Sequence, residues 1–154
     1  MKRHFEDHLR VRVCGILIQN EKILLVNHKG LTPSNIFLSP PGGGIHFQEK
    51  MEATLKREFL EETGLNVTVK DFLFFDEYLN KNIHAIEFFF KVEILNGSLQ
   101  TGTDPEETEQ LIESVDFYPL ETLQKLEENC LHACLKNVTS FTELTVSGDS
   151  VYKR

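Results

Sequence analysis

Glu58, Glu61 and Glu62 stand at i, i+3 and i+4 in the run Arg57-Glu58-Phe59-Leu60-Glu61-Glu62-Thr63-Gly64, the stretch of this chain best equipped for chemistry. On a helix that spacing gathers three carboxylates on one side. Like charges so close repel one another unless a cation sits among them. A hard divalent ion such as Mg²⁺ is the natural resident, because it takes oxygen ligands and binds through a few carboxylates together with substrate phosphates. Counted around the helix from Met51, Leu55 and Phe59 form an apolar stripe, Glu62 falls inside that stripe and Glu58 lies on its edge. Ala53 and Leu60 form a second apolar strip on the opposite side. The helix is therefore expected to be covered on both sides, with its acids turned toward a partly desolvated cleft. The plainer alternative is a solvated acidic helix paired with Lys50, Lys56 and Arg57, the commoner fate of clustered glutamates.

What comes before the trio decides between the two. Gly43 is followed after five residues by Glu49 and after seven more by Arg57-Glu58, so the whole reads G-x5-E-x7-R-E-U-x-E-E-x-G-U, with U an apolar residue. Fixed residues at ordinary usage would produce such a match at a given start on the order of one time in 10⁸. At every fixed position the segment resembles the signature box of the Nudix hydrolases, and Pro41-Gly42-Gly43-Gly44 resembles the turn that leads into it. The likeness in general layout runs from about residue 10 to about residue 128, and only the box is specific.

The resemblance implies a metal-dependent enzyme that cleaves a pyrophosphate bond in a nucleoside diphosphate linked to another moiety, with Mg²⁺ or Mn²⁺ as cofactor. Position by position it implies Glu58, Glu61 and Glu62 as metal ligands, directly or through water, and Gly43 as the place where a backbone carbonyl joins them. Arg57 would orient Glu58 through a charge-assisted hydrogen bond, and Glu49 would be a secondary acid near the helix start, where the dipole also favours it. A general base is drawn in many relatives from a downstream loop, where this chain offers Asp104, Glu106, Glu107 and Glu109. Glu107 ranks first, then Glu109 and Glu106; otherwise the base is Glu61 or Glu62 itself. The expected catalytic set is thus Glu58, Glu61, Glu62, Arg57 and Glu107. Two positions depart from the family's habit: His46 stands where an acid is common, and Gln48 where glycine is common. Arg10, Arg12 and Lys29 are candidate phosphate anchors and His28 a candidate substrate contact. Phe37, Phe47, Phe74, Phe75, Tyr78 and Phe89 are available for base stacking, and no further signature marks a coenzyme A or ADP-ribose specialist.

Composition bounds the alternatives. A chain of 154 residues suits a single domain, here residues 1–154 with 129–154 as a C-terminal extension, and can bury a core. A hydrophobic content of 40% with twelve Phe excludes a disordered chain. No apolar run is long enough to span a bilayer, and residues 1–8 lack the apolar segment of a signal peptide, so the cytoplasm is the expected compartment. Cys14, Cys130 and Cys134 are odd in number and unpaired in spacing, which reads as free thiols. A net charge of −8 argues against nucleic acid as partner and would repel a polyanionic substrate unless cations bridge the two. The expected partner is a small nucleotide-type molecule, with a homodimer left open.

The elements that must position the site follow from pattern. Apolar runs at 11–18 and 22–26 read as a hairpin turning at 19–21, and 36–38 as a short strand stopped by Pro40-Pro41. A helix is expected over 49–63, with Gly64 as its left-handed C-cap. Residues 67–75 read as extended. Over 84–94, Ile86, Phe88, Phe90, Val92 and Ile94 alternate with Glu87, Lys91 and Glu93, which reads as a strand with one wet face. A strand at 115–118 precedes a helix begun by Pro119, and the tail from 139 reads either as a terminal hairpin or as frayed. The pattern alone says α/β in one domain; the resemblance implies an α/β/α sandwich with a mixed sheet. Two other functions stay in view: a non-catalytic nucleotide or ADP-ribose sensor, and a structural domain binding calcium or manganese.

Overall fold

The computed structural model describes residues 8–105, 111–145 and 152–153. In chain order the elements are β1 (Leu9–Ile16), β2 (Ile18–Gln19), β3 (Lys22–His28), β4 (Leu38–Ser39), β5 (Gly42–Gly44), α1 (Met51–Thr63), β6 (Leu65–Asn80), β7 (Ile83–Gly97), β8 (Ile112–Pro119), α2 (Leu120–Gln124), α3 (Thr142–Thr145) and β9 (Tyr152–Lys153). One mixed sheet has the order β5-β1-β7-β6-β9, with β1 parallel to β7 and antiparallel to β5. A second, smaller sheet is built on β3, which pairs antiparallel with β2, β4 and β8. The hairpin into β3 turns on Asn20 and Glu21, both at positive φ (52° and 61°), the signature of a tight primed turn.

Two apolar clusters hold the layers together. Leu55 and Phe59 of α1 pack on Val13, Leu24, Val67 and Val92. On the other side Cys14, Ile23, Phe74 and Phe89 pack with Leu123, Leu131, Leu135 and Leu144 from the C-terminal segment. Helical structure thus covers the sheets on both sides, an α/β/α sandwich. Among the described residues no helix is long and apolar enough to cross a membrane.

Gly64 ends α1 at φ 75°, its N–H on the Leu60 carbonyl. The next carbonyls, of Glu61, Glu62 and Thr63, accept the N–H groups of Thr103, Gly102 and Gln100. The helix end, which cannot satisfy these groups itself, therefore fixes the loop that follows β7. Gly102 is the residue that permits it, since a Cβ there would lie 1.8 Å from the Glu61 carbonyl oxygen.

Several expectations are overturned. The glycine run is a strand, not only a turn, because Gly42–Gly44 pairs with β1. Residues 96–97, read as a loop, close β7 in register with the start of β6. Helicity does not run on from Pro119: α2 is short, and only single turns follow at Glu128–Cys130 and Ala133–Leu135. Where the tail is described, Thr142–Thr145 is helical and Tyr152–Lys153 lies parallel to β6, while residues 146–151, where the hairpin was expected to turn, lie outside the described residues. Ala53 and Leu60 are exposed, so among the described residues α1 is covered on one side only, the side that packs on the sheet. Glu87 is not on a wet face. The face of β7 that carries Ala85, Glu87 and Phe89 is the buried one, with Glu87 3% exposed, while Ile86, Phe88 and Phe90 on the other face are half-buried.

Gln48 explains its own departure from the family. It sits at φ 67°, a left-handed conformation that glycine adopts without steric cost. Gln48→Gly is expected to stabilise the protein by about 0.5–1 kcal/mol, read as a rise in melting temperature with cation affinity unchanged.

Candidate active site

Burial of α1 on one side brings two of its three acids inward. Glu58 and Glu62 are each 5% exposed, while Glu61 stays at the rim. Glu62 Oε1 accepts the Gly42 N–H at 2.8 Å. Desolvation and the neighbouring Glu58 charge push the Glu62 carboxyl up to about 8, against the pull of that hydrogen bond. Desolvation likewise raises Glu58 to about 7, with Arg57 opposing it and Glu61 and Asp104 adding to it. A Cβ on Gly43 would lie 2.3 Å from Glu58 Oε1, so the backbone of β5 lies directly against the carboxylate. Two buried acids that repel each other, backed by a bare stretch of main chain, form a cradle of hard oxygen donors suited to a divalent cation.

Arg57 ties the rim together. Its Nε and Nη2 donate to the two oxygens of Glu49 at 2.9 and 3.0 Å. Its Nη1 donates to Glu58 Oε1 at 2.9 Å and to Glu61 Oε2 at 3.3 Å, and Nη2 reaches the Gly44 carbonyl at 3.3 Å. The Arg57 hydrogen bonds hold the Glu49 carboxyl down at about 2. Glu49 is thus fixed by Arg57 and by the Thr54 hydroxyl at 2.6 Å, with its place before the first helical turn a smaller matter.

Glu58 and Glu62 open into a cavity of about 600 Å³ whose wall also carries Arg10, Arg12, His28, Phe37, Tyr78 and Asp104. Of the four downstream acids, Asp104 is therefore on the cavity wall, while Glu106, Glu107 and Glu109 lie outside the described residues. His28 Nε2 meets the Ser39 hydroxyl at 3.0 Å, and burial lowers its pKa to about 4, so the ring is neutral at physiological pH. Lys29 is half-exposed beside Glu113, and Phe47 is exposed. Phe74 and Phe89 stack on each other in the core at 4.5 Å.

The strands add a polar row that the sequence did not disclose. Gly44 on β5, Arg12 on β1, Glu87 on β7 and Asp76 on β6 are successive register partners, which lines them up across the sheet. Arg12 donates to Glu87 Oε2 at 2.8 Å, so it serves Glu87 where a phosphate anchor was expected. His132 Nδ1 accepts the Cys134 N–H at 3.1 Å, which leaves the ring hydrogen on Nε2 to be donated to Glu87 Oε1 at 2.8 Å. Burial alone would raise the Glu87 carboxyl, but His132 and Arg12 outweigh it and hold it at about 2. Asp76, Glu87 and His132 offer ligand atoms within 4.8 Å of one another. They do not suit a cation, because both ring nitrogens are already engaged and Arg12 brings its positive charge onto Glu87. No local motif marks Asp76, Glu87 or His132; the only hint is an acid interrupting an otherwise apolar strand.

Comparison with known proteins bears on the family and the fold. The NUDIX domain family model matches residues 8–135. An ADP-ribose pyrophosphatase of Methanocaldococcus jannaschii is 33% identical over 121 residues, covering 77% of this chain and 67% of that protein. Among solved structures, the E. coli ORF135 protein superposes with a TM-score of 0.68 at 19% identity, over 92% of this chain and 94% of the other. A UDP-X diphosphatase gives 0.69 at 20% identity, over 93% and 66%. At those identities the superpositions speak for the fold alone.

Proposed function

This chain belongs to the Nudix hydrolase family, and on that premise we propose that it hydrolyses, with a divalent cation, the pyrophosphate bond of a nucleoside diphosphate linked to another moiety. The observation that carries the reading is the cradle of Glu58 and Glu62, two buried carboxylates side by side against the bare backbone of Gly43 and open to the cavity. Mg²⁺ or Mn²⁺ would be held by Glu58 and Glu62, with Glu61 at the rim and the Gly43 backbone beside them. Bound there, the ion supplies positive charge against the phosphate oxygens and acidifies water.

The chain's own groups do the rest. Arg57 holds Glu58 and Glu61 in one orientation and keeps Glu49 ionised behind them. Arg10, on the cavity wall, is the arginine that would meet a substrate phosphate, with Arg12 donating to Glu87 beside it. The loop stitched to the end of α1 carries the proton acceptor. Asp104 and Glu107 are the leading candidates, Asp104 because it lies on the cavity wall near Glu58 and Glu62. Changing Asp104, Glu106, Glu107 and Glu109 to their amides one at a time should leave cation binding intact and lower turnover about 10²–10⁴-fold for one of them. Full rate in all four would move the base onto the helix, to Glu61.

The substrate panel starts with ADP-ribose, because that is what the curated relative is named for, and extends to nucleoside diphosphate sugars, dinucleotides and nucleoside triphosphates. Release of a nucleoside monophosphate, dependent on Mg²⁺ or Mn²⁺ and abolished by chelation, is the expected result. Tight nucleotide binding with no turnover of any member would instead make the chain a sensor.

A further inference from the structure

Two carboxylates directly opposite on neighbouring strands destabilise a sheet, yet Asp76 and Glu87 are register partners and both are buried. Glu87 has a structural reason to be there: it receives Arg12 and His132. Asp76 has none of that kind. It contacts Glu87 through a hydrogen bond, and burial together with the Glu87 charge raises its carboxyl to about 6. The bond between two acids needs a proton, and Asp76, the weaker acid of the pair, supplies it. Its other oxygen, Oδ1, is buried without a hydrogen-bond partner in a residue only 6% exposed. An orphaned buried acceptor costs about 1–3 kcal/mol, a cost that a ligand donor would remove. Arg12 Nε is likewise buried and without a partner. Both residues line the cavity that Glu58 and Glu62 open into.

The chemistry of this part of the wall narrows what it takes. Asp76 Oδ1 is an acceptor and an ionised phosphate oxygen is no donor, so the occupant is a part of the substrate that carries a hydrogen-bond donor. The same cavity is lined by Phe37, Tyr78, Ile83, Ala85 and Leu131, apolar and aromatic surface suited to a flat ring and not to a sugar. We propose that Asp76 is a specificity-determining residue whose Oδ1 accepts a hydrogen bond from an N–H on the substrate's nucleobase, with Arg12 Nε donating to an acceptor of the same ligand. The proposal rests on the nucleotide-hydrolase reading and names the part of the substrate that this wall selects.

Binding, not turnover, tests it. AMP, GMP, CMP and UMP are titrated by calorimetry, each beside the analogue in which every base N–H is replaced by N-methyl. The wild type is expected to bind its preferred nucleotide about tenfold more tightly than the methylated analogue. Asp76→Leu should bind the two alike. Asp76→Asn should keep the tenfold ratio, because its amide N–H can donate to Glu87 and leaves its oxygen as the acceptor; it also serves if the Leu variant does not fold. An unchanged ratio in Asp76→Leu, a lost ratio in Asp76→Asn, or ribose 5-phosphate binding as tightly as any nucleotide would each overturn the proposal. Base-selective binding without hydrolysis of any substrate would leave the proposal standing and remove the enzymatic reading instead.

Discussion

Glu62→Gln is expected to raise the melting temperature of the cation-free protein while abolishing its activity. The Glu62 carboxyl is raised to about 8 by burial and by Glu58, so the folded state holds a proton that the unfolded chain has released. The sign follows: with the folded pKa above the unfolded one, stability is intact below about pH 4.5 and falls as pH rises toward 8. A neutral amide removes that penalty and still accepts the Gly42 N–H. The gain at pH 8 is on the order of 3 kcal/mol, or roughly 5–10 °C for a chain of this size. A divalent cation relieves the same repulsion in the wild type. Mg²⁺ should therefore raise the wild-type melting temperature strongly at pH 8 and little at pH 5, and should do much less in Glu62→Gln. Losing a carboxylate from the cradle removes several kcal/mol of transition-state stabilisation, about 10³-fold or more in turnover. Differential scanning fluorimetry across pH, with and without Mg²⁺, reads the first effect. A wild-type melting temperature indifferent to Mg²⁺ at pH 8 would refute the cradle as a cation site.

Arg57→Ala should do the opposite to stability and also damage the site. One guanidinium satisfies both oxygens of Glu49, one of Glu58, one of Glu61 and the Gly44 carbonyl. Removing it leaves three acids without their shared cation at the mouth of a desolvated cavity. Breaking a buried ion pair costs about 3–5 kcal/mol; with Arg57 and Glu49 about one-fifth exposed (23% and 19%), about 2–3 kcal/mol is expected here. The Glu58 carboxyl, which Arg57 now holds down, should rise further, so apparent cation affinity should fall about 10–100-fold and fall most at low pH. Arg57→Lys should recover little, because one ammonium cannot span acceptors that a planar fork reaches in three directions. Cation titration followed by fluorescence or calorimetry distinguishes these outcomes. A lysine variant that matches the wild type in both stability and affinity would show that point charge, and not the fork, is what the site needs.

Residues 43–65 were largely legible in the sequence because what they do is local. Helical spacing puts Glu58 and Glu62 beside Leu55 and Phe59, and so carries them toward the interior with the apolar stripe. Gly64 ends the helix through its own backbone preference, and Asn20-Glu21 turns the hairpin the same way. Arg57 reaches Glu49, Glu58 and Glu61 from within the same short segment. The tertiary structure alone decided that Ala53 and Leu60 find no second layer among the described residues, since an apolar strip does not say whether a partner exists. It alone turned the acid at 87 inward, because strand alternation gives two faces and the layer packed on the sheet determines which of them is wet. The row from Gly44 through Arg12 and Glu87 to Asp76 brings together residues up to 75 positions apart, with His132 added from the C-terminal segment. Register between distant strands follows from the packing of the whole sheet, and no short-range pattern encodes it. The carboxylate cradle is thus a property of one helix and its preceding turn, and the polar row on the cavity wall is a property of the fold.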